Sequence, residues 1–275
     1  MTMIGKIVLL FVLLFSAHPF LSAQDSNSPY MVLDTARYVV RYGFKYMADT
    51  VNRKMMEGET VLEIGKHVSR HCFKGHDESE LSYLERSGWD AEPKFRFPAY
   101  DPAIDNVYIG YPKKNRMTAA MNLGCVGGFL YEEDVPKQDW TLSDQTKVVG
   151  GHECRMASCD FGGRRYEAWY AVDIPMSLGP WKLGGLPGLI LEAYDSSGEF
   201  VFTLNAIESA SDSVVPITML KRKYRKMSRK KCFSYRARMY REPATFYSAL
   251  GVLPNGMRIV TPKGGYPYNP IEKED

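Results

Sequence analysis

The strongest constraint on the fold is a two-residue alternation of apolar and polar side chains over residues 36–46. The even positions are Ala36, Tyr38, Val40, Tyr42, Phe44 and Tyr46, and the odd positions include Arg37, Arg41 and Lys45. Successive side chains of a β-strand point to opposite faces, so this period predicts a strand with one buried face.

Turn residues divide residues 147–205 into further strand-like runs. Gly162 and Gly163 predict a two-residue hairpin loop, and the Asp-Ser-Ser-Gly sequence at 195–198 predicts a longer one. Shorter apolar runs at 60–64 and 68–73, separated by Gly65, and at 107–111 predict additional strands. We therefore predict a mainly β fold, an antiparallel meander that forms an open curved sheet or a partial barrel.

A few short helices complete the predicted fold. Residues 77–86 place Leu81 and Leu84 three apart after a run of acids, which predicts one short helix. Residues 228–241 place Phe233, Ala237 and Tyr240 at helical spacing before a proline. The second helix is rich in lysine and arginine.

The first residues have the pattern of a secretory signal peptide. Lys6 precedes an apolar run over residues 7–15, which is about half of the roughly 20 residues that a membrane span needs. We expect residues 1–23 to be a signal peptide cleaved after Ala23, and residues 24–275 to form a single β domain. No other apolar stretch approaches spanning length, so we expect a protein that is periplasmic, associated with the outer membrane or secreted.

The charge is distributed unevenly along the chain. Residues 221–241 contain 11 lysines and arginines and no acid, whereas the remainder after Ala23 has 23 basic and 32 acidic residues. Export argues against nucleic acid as the partner of this basic segment. An anionic lipid headgroup, an acidic surface or the protein's own acidic remainder are the candidate partners, and a solvated helix face is the simpler alternative.

Several motifs together resemble the secreted GLPGLI family. The hexapeptide is Gly185, Leu186, Pro187, Gly188, Leu189 and Ile190. It follows Trp169-Tyr170 and Trp181-Lys182, and the ending Asn269-Pro270-Ile271-Glu272 is also similar to the family pattern. The resemblance spans essentially the whole chain after the signal peptide. It implies a secreted protein of Gram-negative bacteria, and it transfers no activity, cofactor or catalytic residue.

The hexapeptide is predicted to be structural. It contains no ionisable side chain and no hydroxyl, and its glycines lack the Gly-Lys-Ser/Thr helix start of a phosphate-binding loop. Its two glycines and proline specify a backbone path, and its aliphatic side chains can then be buried. The flanking Trp181 and Lys182 are candidate binding residues, because an aromatic ring and a cation on a loop suit sugars or carboxylates.

A second group of candidates combines acids with aromatic side chains. Asp160, Glu167 and Asp173 lie among Arg164, Arg165, Trp169 and Tyr170, which makes Arg164, Trp169 and Tyr170 further binding candidates. A separate cluster of acids comprises Glu132, Glu133 and Asp134. A glycosidase uses two carboxyl groups near aromatic platforms, but β-strands commonly carry acids on their solvent face. There is no Gly-x-Ser-x-Gly nucleophile motif.

Potential metal ligands occur within ten residues of each other: His67, His71, Cys72 and His76. Imidazole and thiolate groups bind zinc or copper. In a strand, however, His71 and Cys72 would face opposite sides, so the group would be scattered unless the chain bends. The five cysteines are too few for a disulfide scaffold, and Cys154 and Cys159, about 16 Å apart on a continuous strand, are not expected to pair.

The sequence favours an exported, non-enzymatic protein that binds a ligand or a component of the cell envelope. A secreted hydrolase acting on glycans or peptides is the alternative function, and copper or zinc binding is a second alternative. A deep pocket lined by convergent acids would favour the enzyme.

Overall fold

The computed structural model describes residues 28–76, 78, 81, 82, 85, 105–123, 127–211, 213–251, 259, 261 and 263–273. The named elements are β1 (Tyr30–Thr35), β2 (Tyr38–Asp49), β3 (Lys54–Ile64), β4 (Ser69–Phe73), β5 (Asn106–Ile109), β6 (Arg116–Asn122), β7 (Gly128–Asp134), β8 (Thr141–Val149), β9 (His152–Phe161), β10 (Arg164–Ala171), β11 (Leu189–Asp195), β12 (Phe200–Ser209), β13 (Pro216–Leu220), β14 (Tyr224–Lys226), α1 (Arg229–Arg241) and α2 (Pro243–Ala249).

Twelve of the strands form one open sheet built from two meanders. The first runs from β2 to β7 in sequence order, the second runs from β12 back to β8, and the β2–β12 pair joins them. All neighbours are antiparallel except β14, which pairs in parallel with β7 at one edge. Strand β8 forms the other edge. The predicted open antiparallel sheet is confirmed.

Local turn chemistry places the hairpins where the sequence predicts them. Gly162 and Gly163 both have left-handed backbone conformations, with φ of 57° and 69°, and they connect β9 directly to β10. The longer loop after β11 closes when the Gly198 N–H donates to the Asp195 carbonyl oxygen. Helix α1 also matches its prediction, and the Ser228 side chain caps it by accepting from the Lys231 N–H.

The main hydrophobic core lies on one face of the sheet. Both meanders contribute to it, for example through Phe44, Phe129 and Phe202, which are all fully buried. Because strands from both halves share one core, the sheet must curve around it. On the other face, β1 and β13 form a two-stranded sheet that covers a second cluster, which includes Val39, Val61 and Ile217.

Strands β6 and β7 were not predicted. In β6, Met117, Ala119 and Met121 face the main core, while Ala120 faces a cluster with Met219 of β13. The sequence of β6 carries a period-two pattern that only Ala120 interrupts, and this short signal was missed. Helix α2 was also missed; it starts at Pro243, directly after α1.

Two predictions fall largely or wholly outside the described residues. These are the signal peptide over residues 1–23 and the short helix over residues 77–86, of which only isolated positions are described. Within the part of the chain that the structure describes, no helix is long and apolar enough to cross a membrane.

Candidate functional site

A strained turn between β10 and β11 directs Lys182 into the interior. Trp181 has φ of 56°, in the left-handed region that non-glycine residues rarely adopt. The surrounding packing holds this conformation, because its buried ring lies 5.4 Å from the Phe161 ring and 6.1 Å from the Tyr166 ring. The adjacent Lys182 side chain is almost completely buried.

Lys182 belongs to a closed ring of four charged side chains, which we call the charge ring: Lys182, Glu133, Arg229 and Glu272. Lys182 Nζ lies 3.4 Å from Glu133 Oε1 and also contacts Glu272 Oε2. Arg229 Nε lies 3.4 Å from Glu133 Oε2, and Arg229 Nη1 contacts Glu272 Oε1. All four carboxylate oxygens therefore have a cationic partner, and the formal charges cancel.

A second buried cation, Arg164, attaches the C-terminal segment to the sheet. Its guanidinium donates to Asp195 at 2.8 Å and to Glu199 at 2.9 Å in the β11–β12 region. It also donates to Asn269 Oδ1 at 2.6 Å and to the backbone carbonyl oxygens of Pro270 and Ile271. This set of contacts, which we call the arginine clasp, positions Glu272 for the charge ring.

The five predicted binding residues do not form one open site. Arg164, Trp181 and Lys182 converge on the C-terminal residues but are buried there. Tyr170 is also buried in the main core. Trp169 is largely buried and separate from the charge ring, with Lys147 Nζ 4.3 Å from its ring centroid.

Sequence reasoning did not connect three members of the charge ring to Lys182. Glu133 appeared only among clustered acids and Arg229 only within the basic segment. Glu272 lies in the C-terminal motif that resembles the GLPGLI ending, which was the one available signal.

Two clefts open beside the charge ring. The larger, of about 410 Å³, lies between residues 135–139 and 177–185 and is lined partly by Lys182. Its walls are tied together, because Gln138 donates to the Lys182 carbonyl oxygen and Trp140 donates to the Gly184 carbonyl oxygen. The smaller, of about 260 Å³, is lined by Glu133, Asp160 and Glu272 among others.

The hexapeptide contributes Gly185 to the lining of the larger cleft and then enters the core. Gly185 has φ of 82°, which glycine adopts without steric cost. Gly188 does not have a positive φ; instead, a Cβ there would lie 1.9 Å from the Ala171 carbonyl oxygen. The following Leu189 and Ile190 begin β11 and are fully buried.

The predicted metal ligands are not brought together. His67 is exposed, whereas His71 is buried with its ring 6.0 Å from the Phe202 ring. Cys72 faces the opposite side of β4, in the second cluster, and His76 follows the end of that strand. Among the described residues, no group of three or more His, Cys, Asp or Glu side chains could hold a metal ion.

The acids considered for hydrolysis each have a partner. Glu133 belongs to the charge ring, and the other pairs are Glu132–Lys226, Asp134–Arg116, Asp160–Arg165, Glu167–Tyr194 and Asp173–His152. The His152 side chain hydrogen-bonds Asp173 at 2.7 Å and lowers the pKa of that carboxyl.

The described cysteines of β9 and α1 lack the features of reactive thiols. Cys154, Cys159 and Cys232 are buried and form no disulfide. Burial raises the pKa of Cys154 to about 11 and that of Cys159 and Cys232 to about 12. Since the thiolate is the nucleophile, these groups are poorly reactive at neutral pH.

Comparison with known proteins gives one family match. The family described as "Protein of unknown function (Porph_ging)" matches residues 163–192, a segment that includes Arg164, Lys182 and the hexapeptide. No curated protein sequence matches significantly.

Solved structures of PNGF-II are similar to this chain at low sequence identity. The structure in space group C2 has a TM-score of 0.48 and 14% identity, and the match covers 74% of this chain and 32% of the PNGF-II chain. The structure in space group P21 has a TM-score of 0.46 and 13% identity, covering 74% and 33%. This chain therefore spans about a third of the length of PNGF-II.

Proposed function

We propose that this chain is an exported, non-enzymatic binding protein of the GLPGLI type, which holds a small ligand in the larger cleft. The observation that carries the proposal is the closed charge ring. Because all four oxygens of Glu133 and Glu272 contact Lys182 or Arg229, these contacts orient both carboxylates within the ring and favour a structural role for them. The ring makes an electrically neutral support beside the cleft.

The larger cleft has the size and lining of a small-molecule site. Its volume of about 410 Å³ lies within the usual range for such pockets. Both apolar residues such as Ile109 and Leu178 and polar residues such as Gln138 and Ser177 line it. This mixed lining suits a ligand with both apolar and hydrogen-bonding groups, of the size of a disaccharide or a dipeptide.

Export to the periplasm, the outer membrane or the medium is part of the same proposal. It is supported by the charged start, the short apolar run and the small residue at position 23. An intact-mass measurement of the exported protein should show a chain that begins at Gln24. A mass that still includes residues 1–23 would contradict it.

Filling the cleft tests the binding proposal. Ser177 is exposed and lines the cleft, so Ser177→Trp should block it without disturbing the core. Ser196→Trp, at an exposed serine in the β11–β12 loop, is the matched control. A defined panel of disaccharides and dipeptides is screened by thermal shift, because a ligand that binds the folded state raises its melting temperature.

At least one member of the panel should raise the melting temperature of the wild type and of Ser196→Trp, but not that of Ser177→Trp. The proposal is contradicted if no member of the panel does so, or if the shift persists when the cleft is filled.

The hydrolase alternative is favoured by the smaller cleft, which Glu133, Asp160 and Glu272 line. The same panel, extended with longer glycans and peptides, is therefore analysed for cleavage products by mass spectrometry. If the wild type forms cleavage products and Glu133→Gln does not, the enzymatic proposal is supported and the binding proposal is rejected.

A further inference from the structure

The basic segment, residues 221–241, contains seven exposed cations that have no acidic partner among the described residues. Three of its other cations pair with the protein's own acids: Lys226 with Glu132, Arg229 within the charge ring and Arg236 with Asp105. The exposed seven are Lys221, Lys223, Arg225, Lys230, Lys231, Arg238 and Arg241, and none makes an ion pair within the described part of the chain. The protein's own acidic residues therefore account for only part of the segment.

Four of these cations form a single stripe along helix α1. At about 100° of rotation per residue, Lys230, Lys231, Arg238 and Arg241 fall within about 100° of one another. The opposite side of the helix carries the buried residues, including Phe233 and Met239. The stripe extends over about 16 Å at 1.5 Å per residue, and no acid interrupts it.

Three of the four aromatic residues of the segment are engaged in the protein interior, and the fourth, Tyr224, is partly buried on β14, outside the stripe. Phe233 and Tyr240 are buried, and Tyr235 packs between the rings of Phe129 and Phe246. They are therefore unavailable for the base stacking that single-stranded nucleic acids use. The stripe also has no large apolar side chain that could insert into a bilayer, so its attraction is purely electrostatic.

We propose that this stripe docks the protein on an anionic lipid surface. The surface of a single helix is convex, so the stripe fits a plane of mobile headgroup phosphates better than it could enclose a single polyanionic chain. Each lysine or arginine near such a surface strengthens binding by about fivefold. This inference is independent of the ligand cleft.

Co-sedimentation of the full chain with vesicles tests the proposal. The probes are phosphatidylcholine vesicles containing 30% phosphatidylglycerol and vesicles of phosphatidylcholine alone. The wild type should bind the anionic vesicles selectively, and raising the salt concentration should weaken binding because it screens exposed charges. The variant K230E/K231E/R238E/R241E should lose more than a hundredfold in affinity.

The matched control is R37E/K66E/K113E/K114E, which changes the net charge equally at exposed cations that make no ion pair in the described structure. It should lose far less affinity than the stripe variant. Melting temperatures establish that both proteins are folded. The milder K230A/K231A/R238A/R241A variant, which removes the four charges without reversing them, should lose correspondingly less affinity than the glutamate variant. Ser177→Trp should bind vesicles like the wild type, which separates this proposal from the cleft proposal.

Three results would overturn the inference. The first is no binding to anionic vesicles, including the case in which the protein binds a soluble polyanion such as heparin instead. The second is equal binding to both vesicle types. The third is an equal loss in the stripe variant and its control, which would mean that net charge alone governs adsorption.

Discussion

At the scale of single residues, His71 links burial to acid sensitivity. Both ring nitrogens are buried without a hydrogen-bond partner among the described residues, and desolvation lowers the pKa to about 3 from an ordinary value of 6.5. Between these values the unfolded chain binds a proton that the folded chain does not. Stability is therefore lost as the pH falls below 6.5, at about 1.4 kcal/mol per pH unit.

Urea unfolding at pH 6.5 and pH 4.5 measures this effect in the wild type and in His71→Leu. Over this interval, the free energy of unfolding should fall by about 2 to 3 kcal/mol more in the wild type than in the variant. Equal pH dependence in the wild type and His71→Leu would show that His71 is not held neutral in the folded protein.

At the scale of elements, the β10–β11 pair depends on a close backbone approach at Gly188. A Cβ at this position would lie 1.9 Å from the Ala171 carbonyl oxygen, and this neighbour is backbone that cannot rotate away. Gly188→Ala should therefore move β11 away from β10 and lower the free energy of unfolding by about 3 kcal/mol, as overpacking does in other cores. Denaturant unfolding gives the value.

Gly43→Ala in β2 is the control for this prediction. The nearest atom to its added methyl is the Asn205 side chain at 3.2 Å, which can move, so we expect a cost below about 1 kcal/mol. If Gly188→Ala has near-wild-type stability but has lost ligand binding, the hexapeptide acts directly in function and its structural interpretation is wrong.

At the scale of the whole molecule, the arginine clasp joins β10, the β11–β12 region and the C-terminal residues. Arg164→Met removes a guanidinium with a side chain only 2% exposed and leaves Asp195, equally buried, without its cation. Breaking a buried pair in this way costs about 3 to 5 kcal/mol. The variant should also release Glu272 from the charge ring, since the clasp holds the residues that precede it.

The neighbouring Arg165 provides the control, because its side chain is half exposed and lies 3.5 Å from Asp160. Arg165→Met should cost less than about 1 kcal/mol. Thermal or denaturant unfolding compares the two variants. Limited proteolysis should cut the C-terminal residues faster in Arg164→Met only, and similar stability in both variants would show that the clasp does not hold the molecule together.

Local sequence patterns were sufficient to predict the parts of this fold in which neighbouring residues interact. The alternation of apolar and polar side chains predicted β2, because one face of this strand meets the main core and the other face carries Arg41 and Lys45. Gly162 and Gly163 specified the β9–β10 hairpin, and helical spacing specified α1. Each of these signals acts between residues close in the chain, so it can be detected without knowing the rest of the molecule.

The contacts between residues that are far apart in the chain could not be predicted from these local patterns. Glu133, Lys182, Arg229 and Glu272 come from a strand, a turn, a helix start and the C-terminal segment, and only the tertiary packing of these parts brings them into one charge ring. The same topology buried His71, which by sequence was a candidate metal ligand. Charge pairing and burial depend on neighbours across the sheet, and a linear pattern carries no information about those neighbours.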